Sequence, residues 1–170
     1  MLSIISSPIG NLKDISYRSI EALKCASIVY CEDTRVTKKL LNHYSIKDKQ
    51  LLPYNDHNEK KVLKEIIEKL EHDENIILIS DAGTPLISDP GFPLIRECIK
   101  RDIDFVVLPG PTAIIPSLIY SGFPIDKFSF YGFIPRSINK QQELAKTIIT
   151  SKSPIAVSYT HLRAHETIQH

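Results

Sequence analysis

The 170-residue chain has no apolar run near the roughly 18–20 residues that a membrane-spanning helix needs. Its first residues, MLSIISSPIG, lack the basic start and long apolar region of a secretory leader and read as a strand. Cysteine is scarce: Cys25, Cys31 and Cys98 are odd in number and carry no metal-type spacing. Each sits in an apolar context, so all three are expected as reduced core thiols of a cytoplasmic protein. There is no GxxxxGK[ST] phosphate loop, no GxGxxG, and no GxSxG nucleophile elbow. Six histidines form neither HExxH nor a His/Cys cluster, which argues against a metal site. Charge of one sign is also missing. With 21 Lys and Arg against 20 Asp and Glu, the net charge is +1, so contact with a nucleic acid would need a local basic patch. No internal repeat or low-complexity segment appears.

What is present is organised around Asn75–Gly91, NIILISDAGTPLISDPG. Ile76, Ile77, Leu78 and Ile79 form an unbroken β-rich run, as expected of a strand buried on both faces of a parallel sheet. A polar loop rich in turn formers follows, from Asp81 to Gly91. In open α/β sheets, ligands bind at loops leaving the carboxyl ends of the strands. This loop is therefore the expected floor of a site.

The rest of the chain repeats the unit. Leu2–Ser6, Ser27–Cys31, Leu51–Tyr54 and Phe105–Leu108 read as further strands. Ser16 caps a helix to about Cys25. A second helix runs to about Tyr44, with Val36, Leu40 and Leu41 inward and Lys38 and Lys39 outward. A third, from Glu59 to about Glu71, places Val62, Leu63, Ile66, Ile67 and Leu70 at helical spacing. Asp89 and Pro90 suit the start of a fourth, with a carboxylate cap and proline in the first turn. An apolar helix, Ile114–Ser121, ends the pattern. The expected fold is α/β: a five-stranded parallel sheet with helices on both faces, followed by the start of a second α/β domain. A boundary is expected near residue 121, giving 1–121 and a partial domain at 122–156. In the latter, KFSFYGF reads as a strand of a different sheet, Ile138–Ile149 as a helix, and Ser153–Val157 as the start of another strand.

Five polar loops share one sheet edge: Ser7–Asn11, Glu32–Arg35, Tyr54–Asn58, Asp81–Asp89 and Pro109–Ala113. Without a phosphate cradle, recognition there rests on backbone groups, small residues and a few side chains. That suits a compact organic cofactor lying across Gly83, Thr84 and the Pro109–Ala113 turn.

Several of these segments occur together, in order, in one family: Ser7-Pro8-Ile9-Gly10-Asn11-Leu12, Glu32-Asp33-Thr34-Arg35, His57-Asn58-Glu59, the run from Ser80 to Gly91, Pro109-Gly110-Pro111 and Gly132-Phe133-Ile134-Pro135-Arg136. Over roughly residues 2–156 the chain resembles the 16S rRNA (cytidine-2′-O)-methyltransferase I family, within the tetrapyrrole methylase (class III) superfamily of S-adenosylmethionine enzymes. The resemblance implies two domains with S-adenosyl-L-methionine folded between them. It also implies 16S rRNA in the small ribosomal subunit as substrate, with a methylated cytidine ribose as product. By position, Pro8, Ile9, Asp81, Gly83, Thr84, Ile87, Thr112 and Ala113 would bind the cofactor. The first loop resembles the rRNA branch rather than the glycine-rich loop of relatives acting on corrin rings. A small-molecule (tetrapyrrole) methyltransferase and a non-catalytic cofactor- or RNA-binding fragment stand as alternatives. A homodimer is one open oligomeric state.

The chemistry constrains the roles. A sulfonium methyl is already activated, so the enzyme must mainly align the attacking oxygen. A ribose hydroxyl is a poor nucleophile near neutral pH, and a proton acceptor in reach contributes on the order of 10²–10⁴-fold. Asp33, then Asp81, then His57 are the candidates. Helix capping is the competing reading for Asp33 and for His57-Asn58. Arg35, Lys38 and Arg136 are candidates for backbone phosphates, with a solvated helix face the competing reading for Lys38.

The chain departs from the pattern in two places. Val36 stands where family members often carry His after Glu-Asp-Thr-Arg. From about Val157 the sequence is expected to leave the family pattern, residues 157–170 being a non-native tail on a truncated chain. Such a truncation implies a cofactor pocket short of one wall, an uncovered apolar face at Phe128, Phe130 and Phe133, and weak catalysis with self-association.

Overall fold

A computed structural model describes residues 1–158. Of the tail singled out at residues 157–170, residues 159–170 lie outside the described residues. The chain divides into two compact units, the first Met1–Ala113 and the second beginning at Ile114, so the apolar helix that ends the βα pattern groups with the second unit.

The first unit holds five parallel strands: β1 (Leu2–Ile5), β2 (Ile28–Cys31), β3 (Gln50–Pro53), β4 (Ile76–Ile79) and β5 (Phe105–Leu108). Their spatial order is β3-β2-β4-β1-β5. The organising strand β4 is the central one, in register with both neighbours, so that Ile76 pairs with Leu2 and with Ile28. All four of its residues are buried. Its alternating side chains feed two cores. Ile76 and Leu78 pack with Ile66, Ile67 and Leu70 of α3 (Glu59–Glu71) and with Leu94 and Cys98 of α4 (Phe92–Lys100). Ile77 and Ile79 pack on the other face with Leu23 of α1 (Tyr17–Cys25) and Leu40 and Leu41 of α2 (Thr34–His43).

This arrangement fixes where a ligand can sit. Strand β4 is followed by a helix on one face, while its neighbours β1 and β2 are followed by helices on the other. Both flanks of β4 are therefore points where consecutive crossovers part, opening a crevice at the carboxyl ends.

Local chemistry sets the helix boundaries. Ser16 caps α1, its hydroxyl accepting from Ser19 N–H, as its sequence position implies. Three expectations need correction. Asp89 does not cap α4: the N-cap is Gly91 at φ +136°, with Pro93 rather than Pro90 in the first turn. A Cβ at Gly91 would lie 3.0 Å from Leu86 Cδ1, and the backbone there is one that L side chains rarely adopt, so glycine is favoured. On α2 the inward residue of the first turn is Thr37, not Val36, which is 39% exposed. Cys25 is exposed, whereas Cys31 and Cys98 are buried.

Three helices end alike. At α2, Ile46 N–H reaches Leu41 O at 2.9 Å and Ser45 N–H reaches Asn42 O at 3.1 Å, with Ser45 at φ +55°. Asp73 at φ +60° and Asp102 at φ +56° play the part of Ser45 after α3 and α4. These are Schellman endings built without the glycine that usually takes the left-handed position.

In the second unit, α5 (Ile114–Ser121), β6 (Ser129–Phe133), α6 (Ile138–Thr150) and β7 (Ile155–Ser158) follow in order. Strands β6 and β7 pair in parallel as a separate two-stranded sheet, with an irregular register between Phe130 and Phe133, where Gly132 adopts φ +64°. Phe128 and Phe133 are exposed.

Candidate functional site

Backbone and hydroxyl hydrogen bonds tie the loops after β1, β4 and β5 together. Ser7 and Gly83 exchange N–H to carbonyl bonds, both at 2.9 Å, forming an isolated antiparallel bridge beyond the sheet. Buried Ser7 donates its hydroxyl to Ser80 O at 2.6 Å, and Ser80 donates to Gly83 O at 2.8 Å. Ser6 donates to Thr84 Oγ1 at 3.0 Å, and Thr84 donates onward to Pro111 O at 3.1 Å. Small residues are required at these joints. A Cβ on Gly110 would sit 2.8 Å from Ser6 Cβ, and one on Gly83 would sit 3.3 Å from Ile9 Cδ1. Gly83 is also at φ +83°, where an L side chain is strained.

The loop from Gly83 to Gly91 is bent hard. Leu86 and Ser88 take φ +69° and +67°, left-handed conformations that cost a branched residue such as leucine about 1–2 kcal/mol. Backbone strain of this sort persists where surrounding structure over-determines it, and it clusters at ligand sites. Ile9 and Ile87 stand 40% and 45% exposed on these loops, apolar side chains held out toward solvent by a rigid frame.

A second set of groups is acidic. Asp81 Oδ1 accepts the N–H of Asp33 at 3.0 Å, joining the β4 and β2 loops. Asp33 caps α2 through the N–H of Arg35, and its carboxylate is gripped by the Arg35 guanidinium at 2.6–3.1 Å. The guanidinium hydrogen bonds, with the Arg35 N–H, hold its pKa down at about 2. Asp81 moves the other way, chiefly through burial, opposed by the Asp33 N–H. Burial raises Glu32 as well, reinforced by the charges of Asp81 and Asp56. Asp89 is pushed up to about 6 by burial and then by Glu32, Asp81 and Asp56. Among the described residues no His, Cys, Asp or Glu cluster is placed to hold a metal ion.

Beside Asp81 lies a cavity of about 260 Å³, with Pro8, Leu12, Val36 and Leu40 as apolar walls and Lys39 and Asp81 among its polar groups. Pro8 is buried there and Leu12 is 41% exposed.

The structure thus joins Pro8, Ile9, Asp81, Gly83, Thr84, Asp33 and Arg35 into one bonded set of loops. Ile87 belongs to the same β4 loop. Thr112 and Ala113 follow directly on Pro111, which accepts from Thr84. His57 is exposed in the loop after β3; its N–H donates to Asn55 Oδ1. Asn58 is the α3 N-cap residue yet makes no side-chain cap: it accepts from Asn55 N–H and donates to Pro53 O instead. Lys38 is exposed along α2, and Arg136 is exposed in the second unit. Reading from sequence missed Ser6, Ser7 and Ser80 as the joints of the site, and Glu32 and Asp89 as part of its acidic rim. The available signal was that Glu32, Asp56, Asp81 and Asp89 all follow strand ends.

Comparison with known proteins bears on the family and the fold. The family model for Tetrapyrrole (Corrin/Porphyrin) Methylases matches residues 1–170. Ribosomal RNA small subunit methyltransferase I of Hydrogenobaculum sp. (strain Y04AAS1) is 46% identical over 158 residues, covering 93% of this chain and 68% of the relative. The proteins of that name from Thermotoga maritima and Escherichia coli O157:H7 are 45% and 43% identical, with 84% and 86% of this chain covering 64% and 51% of theirs. The chain therefore spans about half to two thirds of the length of these curated relatives. In fold it is similar to a crystal structure of uroporphyrin-III-C-methyltransferase from Thermus thermophilus, at a TM-score of 0.60 and 15% identity over 87% of this chain and 72% of that one. The chain belongs to the tetrapyrrole (corrin/porphyrin) methylase family and, within it, to the ribosomal RNA small subunit methyltransferase I group.

Proposed function

We propose that the protein to which this chain belongs transfers a methyl group from S-adenosyl-L-methionine to the 2′-hydroxyl of a cytidine in 16S rRNA of the small ribosomal subunit, in the cytoplasm. The observation that carries the reading is the locking of three strand-end loops by the Ser7–Gly83 bridge and the Thr84–Pro111 bond, beside the central strand. The residues present suit the donor. Rigid backbone turns, the exposed Ile9 and Ile87 and the Asp81 carboxylate match a ligand with an apolar adenine, polar ribose hydroxyls and a charged amino acid end. Pro8, Ile9, Asp81, Gly83, Thr84, Ile87, Thr112 and Ala113 would hold it. When bound, it supplies a methyl already activated on a sulfonium centre.

The chain's own part is alignment and proton transfer. Asp81 is the stronger proton acceptor of the two aspartates that meet at the rim. Asp33 is held near pKa 2 by Arg35, which makes it a weak base at neutral pH. Burial raises Asp81, and its Oδ1 is fixed by the Asp33 N–H, leaving Oδ2 to take a ribose hydroxyl proton. Asp33 is then a positioning residue, aiming Asp81 from one side and Arg35 from the other.

Calorimetry of the chain with S-adenosylmethionine tests the first half of the proposal. Binding is expected, and Gly83→Val should abolish it, because the branched side chain would press on Ile9 from a backbone at φ +83°. The second half is tested by labelled methyl transfer to 30S subunits lacking the modification, beside porphyrinoid acceptors. Asp81→Asn in a protein of the relatives' full length should lower kcat, read at saturating donor, by roughly 10²–10⁴-fold, over and above any loss of donor affinity. Incorporation into the porphyrinoid alone would move the substrate to the tetrapyrrole class, and binding without transfer to either would leave a cofactor-binding fragment.

A further inference from the structure

Charge is distributed unevenly along this nearly neutral chain. Residues 33–49 hold five Lys and Arg against two Asp, a net of +3, so the remainder carries −2. The structure gathers four of these five cations along one groove, Lys39 lying on the other flank of α2. It runs beside α2 and the turn leading into β3, with a volume of about 780 Å³, and its walls include Arg35, Lys38, Asn42, Lys47 and Lys49, with Asp48 the one acid.

The groove is shaped as well as charged. Lys49 donates at 2.6 Å to both Lys24 O and Ala26 O, and so fixes the turn to the end of α1. The turn itself is set by Ser45 and Asp48 at φ +55° and +59°, with Ile46 buried between them. Lys47, exposed at its tip, is therefore presented by a defined backbone. Lys38 is exposed one helical turn along from Arg35, on the same flank of α2. At the upper end, Arg35 grips Asp33, whose N–H binds Asp81. The cationic groove thus leads by two bonded steps to the proposed proton acceptor. The opposite flank of α2, through Val36, Thr37, Lys39 and Leu40, lines the cavity beside Asp81.

We propose that this groove is a track for the phosphate backbone of the RNA substrate, with Arg35, Lys38 and Lys47 as its phosphate contacts, delivering a neighbouring nucleotide over α2 to Asp81. The assignment rests on the rRNA methyltransferase reading for its partner, but the groove's charge and shape do not depend on it. Phosphate contacts of this type position a nucleic acid without reading its sequence. They also leave a signature, because each neutralised phosphate releases condensed counterions and steepens the salt dependence of binding.

The test uses the 170-residue chain, a fluorescein-labelled single-stranded 20-nucleotide RNA and anisotropy across a range of salt concentrations. Lys38→Ala/Lys47→Ala is expected to weaken binding about tenfold or more near 0.1 M salt and to reduce the slope of log K against log[salt] by about 1.4, roughly 0.7 per phosphate on a single strand. Lys60→Ala/Lys61→Ala, on exposed positions of α3, should change neither. Equal losses in both double variants, or an unchanged slope in the first, would overturn the track. So would a chain that ignores RNA but binds a deca-glutamate peptide through Lys38 and Lys47, since the groove would then be a protein contact. Circular dichroism and S-adenosylmethionine calorimetry on the same variants separate the two proposals. Groove-dependent RNA binding without donor binding sinks the methyltransferase reading and keeps the track; intact donor binding with groove-independent RNA affinity does the reverse.

Discussion

A single aspartate shows how far burial and neighbouring charge together retune the rim of this sheet. Asp89 is pushed to about 6 by burial and by the neighbouring charges of Glu32, Asp81 and Asp56, against an ordinary value of 3.8. The folded chain therefore holds a proton on Asp89 between about pH 4 and 6 that the unfolded chain has released. Wherever the native state binds more protons, stability falls as pH rises. The contribution of Asp89 is thus favourable on the acid side, declines as pH climbs through this window, and is flat above it. Replacing Asp89 with Asn should remove that decline and stabilise the chain at pH 7 by roughly 1–2 kcal/mol, less than the full linkage value because the carboxyl is partly solvated. Urea titrations of both proteins at pH 4, 5, 6 and 7 check this. A wild-type stability that rises across the same interval, with the variant parallel to it, would show that Asp89 is not the group responsible. Asp33 behaves oppositely: its carboxyl is held down at about 2 against an ordinary 3.8, so stability rises with pH as the unfolded carboxyl ionises, a slope that opposes that of Asp89 near pH 4 and is spent by about pH 5.

At the scale of the element, much of the fold was legible because the strands announce themselves by composition. Ile76–Ile79 reads as a doubly buried strand because no polar residue interrupts it, and it is the sheet's central strand. Helix α3 was legible for the complementary reason, its apolar residues recurring at helical spacing. The start of α4 was not, because Asp-Pro and Gly-Phe-Pro are both acceptable helix openings. Tertiary packing decided between them: Leu86 folds over Gly91, and Asp89 turns away from capping to join the acidic rim. Thr37 displaced Val36 from the core because two adjacent positions of α2 compete for one direction. The bonded loops of the site were legible as strand-end loops but not as a network, since Ser6, Ser7 and Ser80 are small residues whose partners lie more than 70 residues away. The helix endings were hidden for a different reason. Glycine is the usual sign of a left-handed cap, and the chain has only six glycines, none at Ser45, Asp73 or Asp102. Each of these residues bears the steric cost of a left-handed backbone to complete its Schellman bonds. Ser45→Gly should relieve that cost, offset in part by the entropy of the unfolded glycine, for a gain of about 0.5–1 kcal/mol. Scanning calorimetry should show the midpoint raised by about 1–4 °C. The gain at Asp73 should be smaller, because Asp tolerates this region better than most residues. A lowered midpoint for Ser45→Gly would mean that the serine side chain holds the turn by a contact worth more than the strain.

For the whole molecule, the decisive contrast is between the two compact units. The first has apolar cores on both faces of its sheet, with the four β4 residues and all of β1 and β2 buried. In the second, Leu118 is the one buried residue among those described, and α6 buries none of its thirteen. Among the described residues its sheet has two strands, and a two-stranded sheet is marginal in water without a further layer packed on it. Local stability follows buried apolar contact, so the two units should open independently and at different free energies. Native-state hydrogen exchange read by mass spectrometry is expected to place the slowest amides in β4, β1 and β2. Exchange in β6, α6 and β7 should be faster by at least tenfold, the factor that each 1.4 kcal/mol of opening free energy corresponds to at equilibrium. Addition of S-adenosylmethionine should slow exchange in the loops after β1 and β4, where the donor is proposed to sit. A uniform exchange profile, equal in β4 and β7, would mean that the chain opens as one cooperative body. The first unit could then no longer be treated as a frame that holds the site by itself.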